Sequence, residues 1–327
     1  MKESDIRPKN IFDEYLRLSK KDVKLFFKNV KGSNCICPGC AFPHGNHKFN
    51  KNSFSFLQCP KCSSLFVSPR PSSKVFDAFY EDSISSKYWS DVFYPTVEKS
   101  RKKLLIKPKA KKILNLIEGL PKNPKVLDVG CGTGTFLEAI QEIKPKIMAC
   151  GIEPSSNMAK KAFEKGFNIE NSTAENSKKF KNFADLVVCF EVTEHVHNTQ
   201  EFLSKLTSFC KPGGTVLITS LTCDGFDIKT LWKDSNSVYP PHHINLLSKL
   251  GYRALFESSG LKDIQIITPG KLDADIVKNF FKENKNKKKL PDFLVNILND
   301  ENLSNSFQKF LEDNKLSSHI WVYGIKK

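Results

Sequence analysis

The sequence predicts an α/β protein built on a largely parallel sheet, preceded by a small cysteine-rich unit. Three observations support this prediction. Residues 125–140, "KVLDVGCGTGTFLEAI", form an apolar strand, a glycine-rich turn and an amphipathic helix, as at the start of a βαβ unit. Strand-like apolar runs then alternate with helical segments along the chain. Two C-P-x-C units, "CPGC" and "CPKC", lie between residues 37 and 62.

The composition is that of a globular protein. The chain has 327 residues, of which 39% are hydrophobic and 26% charged. It contains no apolar run of about 18 residues, so no transmembrane helix is expected. The first residues lack the apolar segment of a secretory signal, which favours a cytoplasmic location.

The positive charge of the chain does not by itself indicate a nucleic-acid partner. The formal net charge is +16, but only five positive residues are Arg, which recognises bases and phosphates through its planar fork. Nucleic acid is therefore an unlikely partner on sequence grounds. The lysine-rich run 100–112 is expected to be a solvated helix face.

The two cysteine pairs predict a structural zinc site. Cys37, Cys40, Cys59 and Cys62 follow the pattern C-x2-C-x18-C-x2-C, which suits four thiolates around one metal. Four protein ligands leave no open position for catalysis. The intervening residues 46–59 alternate weakly, as a hairpin does, so we expect a zinc ribbon over 35–66 within an N-terminal region 1–70. Reduced free thiols are the alternative.

The glycine-rich turn distinguishes between nucleotide cofactors. A nicotinamide fingerprint would require glycine at position 135, which is Thr. The spacing D-x-G-x-G-x-G, from Asp128 to Gly134, instead resembles motif I of class I S-adenosylmethionine-dependent methyltransferases. The resemblance implies a Rossmann-like sheet of seven strands with the seventh antiparallel, a catalytic domain over 121–327, and S-adenosylmethionine as the cofactor.

The following segments agree with this resemblance in order. A strand in 147–155 ends at Glu153, where an acid can accept the ribose hydroxyls. Residues 172–176 follow a third strand, and 183–196 contain a fourth. Further strands are expected at 213–221, 261–268 and 319–326. The residues expected to bind the cofactor are Asp128, Gly130, Gly132, Gly134, Glu153, Pro154, Ala174, Glu175, Phe190 and Glu191.

Two other segments are predicted to be helical. Residues 71–120 are expected to link the ribbon to the catalytic domain and to form a lid over the cofactor. Residues 270–318 replace the short hairpin that precedes the last strand in the family. Their runs "LPDFLVNIL" and "FQKFLED" have helical spacing, which favours an insertion; a separate C-terminal domain is the alternative.

The string "EVTEHV" (191–196) is similar to a motif of ubiquinone-pathway O-methyltransferases. In those enzymes two acids and a histidine are associated with a divalent metal, which here implies Glu191, Glu194 and His195. The alternative is that these residues bind no metal and instead cap the loop and order the next helix.

A second candidate cluster, "SVYPPHHINLLS" (237–248), follows the fifth strand. This segment, together with 68–89 and 271–327, resembles bacterial enzymes of the sugar C-methyltransferase type. Some of those enzymes have a Glu before the histidine pair, and this sequence does not. The resemblance implies His243 as a general base, with His242 or Tyr239 orienting it or the substrate. The histidines could instead only position the loop.

The substrate implied by these resemblances is a small molecule, most simply a nucleotide-linked sugar or a surface-glycan or natural-product intermediate. Two other functions stay open from sequence. One is an RNA methyltransferase with a zinc ribbon, and the other is a non-catalytic cofactor-binding protein.

Overall fold

The computed structural model describes residues 3–117, 119–284 and 290–327, which form two sheets flanked by helices. Residues 285–289, part of the predicted insertion, lie outside the described residues. The strands are β1 (Asn46–Lys51), β2 (Phe54–Gln58), β3 (Leu65–Val67), β4 (Lys125–Val129), β5 (Met148–Ile152), β6 (Asn168–Glu170), β7 (Ala184–Phe190), β8 (Cys210–Leu221), β9 (Asn245–Leu246), β10 (Leu261–Ile267) and β11 (His319–Lys326).

The α-helices lie before, between and after these strands. They are α1 (Lys9–Phe26), α2 (Ser73–Asp82), α3 (Ile84–Tyr88), α4 (Tyr94–Arg101), α5 (Lys107–Leu116), α6 (Thr135–Ile143), α7 (Ser156–Glu164), α8 (Thr199–Phe209), α9 (Phe226–Leu231), α10 (Lys249–Ser258), α11 (Asp273–Glu283), α12 (Asp292–Asn299) and α13 (Glu301–Asp313). Single π-helical turns, Trp89–Phe93 and Lys102–Ile106, join α3 to α4 and α4 to α5.

The larger sheet has the strand order β10-β11-β8-β7-β4-β5-β6. Strands β8, β7, β4, β5 and β6 pair in parallel, and β11 is antiparallel to both its neighbours. This confirms the predicted seven-stranded Rossmann-like sheet. The central strands are nearly continuous apolar runs because helices cover both faces. The connection after β4 leads to β5 on one side and the connection after β7 leads to β8 on the other, so a crevice opens at the carboxyl ends of β4 and β7.

The smaller sheet joins two distant parts of the chain. Strands β1 and β2 form the hairpin predicted between the cysteine pairs, and β3 pairs with β2. The fourth strand, β9, pairs antiparallel with β3 through Leu65–Leu246 and Phe66–Asn245. The sequence did not predict this strand, because two residues are too short to give a periodic pattern. It brings residues 237–248, here called the histidine loop because they carry His242 and His243, against the cysteine-rich unit.

Helices occupy the two segments for which they were predicted. Helices α2 to α5 lie within 73–116, and α5 packs on α6 through Ala110 and Ile113. In the described part of 270–318, helices α11 to α13 pack together, with Ala274, Val277 and Leu298 buried between them and α9. No helix among the described residues has both the length and the apolar character of a membrane span.

Candidate functional site

The glycine-rich turn after β4 has a backbone that only glycine adopts readily. The φ angles of Gly130, Gly132 and Gly134 are 81°, 55° and 76°, in the left-handed region. A Cβ on Gly130 would lie 2.9 Å from Cγ2 of Val192, so the turn fits closely against the loop after β7. A Cβ on Gly132 would meet nothing within 4 Å, so the space in front of Gly132 is open.

Two carboxylates flank this turn. Glu153, at the end of β5, accepts hydrogen bonds from the amides of Gly132 and Ser155, both at 2.8 Å. Asp128 is 2% exposed, and its Oδ1 has no hydrogen-bond partner among the described residues. Burial raises the pKa of Asp128 to about 8, opposed by the charge of Lys109. Without a ligand this carboxyl is therefore largely protonated at neutral pH, and a positively charged ligand beside the glycine turn would favour its ionised form.

Helix α4 also contacts the glycine-rich turn. Glu98 accepts hydrogen bonds from Thr133 Oγ1 at 2.9 Å and Thr135 Oγ1 at 3.0 Å. The Tyr94 hydroxyl lies 3.5 Å from Thr135. The sequence did not predict these contacts, since nothing in the α4 sequence distinguishes Glu98 from a solvated surface acid.

A charged network lies at the ends of β7, β8 and β11. Glu191 is 2.8 Å from His319 Nε2 and 3.5 Å from Lys109 Nζ, and it accepts a hydrogen bond from Thr219 at 2.5 Å. Burial opposes ionisation of Glu191, but His319 and Lys109 outweigh it and hold the pKa well below its usual range. Lys109 also lies 4.4 Å from the Phe190 ring centroid.

This network corrects the expectation that the lysine-rich run 100–112 is a solvated face. Lys102 and Lys107 both pair with Glu142, an exposed acid on α6. The Lys109 side chain is instead only 11% exposed and points to the carboxyl ends of β7 and β8. A helix has two faces, so a count of charges along it cannot identify the buried one.

A second cluster combines Glu194, His195 and His243. Each offers one ligand atom, and these atoms lie within 4.8 Å of one another. This differs from the predicted set of Glu191, Glu194 and His195, because Glu191 is bound to His319 and Lys109 instead. Each member has a supporting contact: Ser220 Oγ donates to Glu194, Tyr80 Oη lies 3.2 Å from His195 Nδ1, and Ser237 lies beside His243. Two imidazoles and one carboxylate can hold a divalent cation.

The imidazole of His243 is oriented by the backbone. Its Nδ1 lies 2.6 Å from the carbonyl oxygen of Ser237, so Nδ1 carries the proton and Nε2 is the acceptor. The ring centroid is 4.9 Å from that of His195. Burial lowers the pKa of His243 from 6.5 to about 4. His243 is therefore neutral at neutral pH, with its lone pair on Nε2.

The other two residues predicted around His243 have different surroundings. His242 is 7% exposed and lies 5.0 Å from Phe79 and 5.6 Å from Tyr15, ring to ring. Its Nε2 has no hydrogen-bond partner among the described residues. The Tyr239 hydroxyl donates to the carbonyl of Leu16 in α1 at 3.1 Å. Any role of these two side chains in orienting a substrate stays a prediction.

Buried polar contacts fix the histidine loop to its neighbours. Arg70 donates to the carbonyl of His197 at 2.6 Å and to Oδ1 of Asn245 at 2.8 Å. The Asn245 amide nitrogen donates to the carbonyls of Thr193 at 3.1 Å and Val196 at 2.8 Å. These contacts connect the loops after β7 and β8. They were not predicted, because a lone Arg and a lone Asn carry no sequence signal for so distant a pairing.

The four predicted cysteine ligands come together. Their sulfur atoms lie within 4.8 Å of one another, with Cys37–Cys62 at 3.5 Å and Cys40–Cys59 at 3.6 Å. Ser248, the N-cap of α10, donates from its Oγ to the carbonyl of Cys62, and its amide donates to Ser64 at 3.0 Å. The cysteine cluster therefore contacts the segment that follows the histidine loop.

The remaining predicted cofactor residues surround the ends of β5 and β6. Pro154 is exposed, and its carbonyl accepts a hydrogen bond from Asn171 at 3.0 Å. Ala174 is buried and Glu175 is half-buried in the turn after β6. Their roles in binding the adenine stay predictions.

Comparison with known proteins agrees with this architecture. The model of a family described as a methyltransferase domain matches residues 100–266, just over half of the chain. The ubiquinone biosynthesis O-methyltransferase of Escherichia coli is 31% identical over 106 residues, which are 31% of this chain and 44% of that protein. The enzyme of the same name from Salmonella arizonae is 32% identical over the same shares. The alignment thus spans less than half the length of these curated relatives.

A solved structure shows the same fold. It is phosphoethanolamine N-methyltransferase 2 of Haemonchus contortus in complex with S-adenosyl-L-methionine, with a TM-score of 0.52 and 17% identity. The match covers 80% of this chain and 62% of that one. The chain therefore belongs to the methyltransferase domain family, of the class I S-adenosylmethionine-dependent kind.

Proposed function

We propose that this protein transfers the methyl group of S-adenosylmethionine to a small molecule, with His243 as the general base. The acceptor class that we propose is a nucleotide-linked sugar or a related surface-glycan or natural-product intermediate. The observation that supports a base most directly is the free Nε2 of His243 beside the loop after β7. That loop borders the crevice where β4 and β7 end.

The proposed roles around the cofactor follow from the charges and spaces at the crevice. Bound S-adenosylmethionine supplies an electrophilic methyl carbon. Glu153 would accept the ribose hydroxyls, while Asp128 would face a positive group of the ligand. Gly132 leaves room for close approach of the ligand to the backbone. Phe190 and Glu191 would border the methyl group.

The chemical requirement is modest, because a sulfonium methyl needs an aligned nucleophile more than an activated leaving group. An acceptor hydroxyl or acidic C–H must lose a proton, and His243 Nε2 is available to take it. The hydrogen bond from Nδ1–H to the Ser237 carbonyl keeps the lone pair on the opposite side of the ring. The network of Asn245 and Arg70 would hold the loop during this step.

The cysteine cluster supports a structural zinc ion. A tetrahedral zinc with bonds of about 2.3 Å places its sulfur ligands about 3.8 Å apart, close to the distances of 3.5 Å and 3.6 Å seen here. Cys37, Cys40, Cys59 and Cys62 would hold it. The proposed ion would tie β3 to the histidine loop through β9 and Ser248.

The clustering of Glu194, His195 and His243 supports a second arrangement, in which a divalent cation binds the acceptor oxygen and His243 is a ligand. The number of metal ions bound per chain distinguishes His243 as a base from His243 as a metal ligand. One metal per chain, with full turnover, contradicts a cation at this cluster. Two metals per chain, with turnover that is lost on dialysis and restored by Mg²⁺ or Mn²⁺, would contradict the base.

The proposal is tested with His243→Gln, assayed with labelled S-adenosylmethionine and a panel of nucleotide-linked sugars. We expect kcat to fall by about a hundredfold or more, the usual effect of removing a general base, with unchanged cofactor affinity. His47→Gln is the control, since His47 lies on the exposed face of β1. Full activity of His243→Gln would refute the base. Labelling of RNA instead of sugars, with steep salt dependence, would refute the acceptor class.

A further inference from the structure

Two arginines that no part of the proposed chemistry uses lie just before α1 and at the end of α4, the helix that contacts the glycine-rich turn. Arg7 precedes α1, and its guanidinium lies 5.5 Å from the centroid of Phe12. Phe12 in turn packs on Phe93, which immediately precedes α4, at 6.0 Å. Arg101 is the last residue of α4, one turn beyond the Glu98 that contacts the glycine-rich turn. Both arginines therefore belong to the same covering layer.

Neither guanidinium has a carboxylate at hydrogen-bond distance among the described residues. The Nε of Arg7 is buried without a hydrogen-bond partner among the described residues, and its ion pair with Glu3 is long, at 3.9 Å. Arg101 interacts electrostatically with Glu191, but that carboxylate is already bound to Lys109, Thr219 and His319. In the described chain the Arg101 side chain makes no ion pair.

The two positive charges also act on each other and on the proposed base. Burial lowers the pKa of Arg101, and the like charge of Arg7 lowers it further. The charge of Arg7 also reaches His243. Arg101 is unpaired and Arg7 has only a distant carboxylate partner, which is unfavourable for partly buried cations, and binding of an anion between them would relieve this cost. Lys109 differs, because Glu191 already neutralises it.

We propose that Arg7 and Arg101 form the subsite for a phosphate ester of the acceptor molecule. The assignment rests on the proposed function and specifies the chemistry of its substrate. Guanidinium groups bind phosphate through two parallel hydrogen bonds, which a compact ammonium group does not reproduce. A phosphate held there would anchor the acceptor between the covering helices and the histidine loop. An unphosphorylated sugar would lack this anchor.

The test measures binding of inorganic pyrophosphate to the full-length protein by calorimetry, in the presence of S-adenosylhomocysteine. We expect wild type to bind pyrophosphate, and Arg7→Gln and Arg101→Gln each to bind it at least tenfold more weakly. Arg17→Gln is the matched control, because Arg17 pairs with Glu14 on the exposed face of α1. Affinity for S-adenosylhomocysteine and the melting temperature verify that each variant is folded.

Three results would overturn the subsite. In the first, wild type binds S-adenosylhomocysteine but not pyrophosphate. In the second, Arg101→Gln binds pyrophosphate as tightly as wild type does. In the third, wild type binds malonate as tightly as pyrophosphate, which would indicate a carboxylate site. The proposed function fails separately. If pyrophosphate binding requires both arginines but no phosphorylated acceptor is methylated, the subsite stands and the transfer reaction does not.

Discussion

Replacing Gly132 by Ala should separate the cost of an unfavourable backbone from the cost of blocking the cofactor. Gly132 has a φ of 55°, and Gly213 on the exposed start of β8 has a φ of 75°. A Cβ would meet nothing within 4 Å at either position. The left-handed backbone costs an alanine roughly 1 to 2 kcal/mol, so both variants should lose that much stability. The two positions differ in where their open space lies, since only the space next to Gly132 faces the crevice.

The two variants should therefore differ in cofactor affinity. An added methyl group in a site that the ligand fills costs roughly 1 to 3 kcal/mol, which is about 5- to 150-fold in Kd. Calorimetric titration with S-adenosylmethionine should show this loss for Gly132→Ala and none for Gly213→Ala, while urea unfolding gives similar losses of stability. Wild-type affinity in Gly132→Ala would refute the placement of the cofactor against this turn.

Asp128→Asn should stabilise the unliganded protein more as the pH rises, while weakening S-adenosylmethionine binding. Burial raises the folded-state pKa of Asp128 from 3.8 to about 8, so wild type loses stability between these values, by at most roughly 6 kcal/mol. Urea unfolding near pH 5 and near pH 8 measures this, and an equal effect at both would contradict it. Chelation of zinc should speed amide hydrogen exchange in 244–248, because β9 pairs with β3, but leave β6 unchanged. Unaltered exchange in 244–248 would show that the cysteine cluster does not support the loop.

The sequence predicts the large sheet well because its signals are local. The glycine-rich turn, the apolar strands and the helical runs each lie within one short segment. The resemblance to class I methyltransferases predicts the antiparallel last strand, and the pairing of β11 with β8 and β10 confirms it. The cysteine spacing likewise predicted which four sulfur atoms would meet.

What the sequence could not predict is long-range and electrostatic. The burial of Lys109 depends on which side of α5 faces the sheet. The exchange of Glu191 for His243 in the carboxylate–histidine cluster depends on β11 bringing His319 to Glu191. The low pKa of His243 depends on burial by segments that are far away in the chain. None of these leaves a pattern of spacing in the sequence.

The pairing of β9 with β3 limits how this protein can be divided or recombined. Three strands of the smaller sheet end by Val67, and the fourth is Asn245–Leu246. Removing either part would leave the other with an unpaired strand edge, which promotes aggregation. A chimera that exchanges the histidine loop with a related chain would therefore have to exchange the N-terminal hairpin with it. The two segments are expected to change together as such proteins diverge.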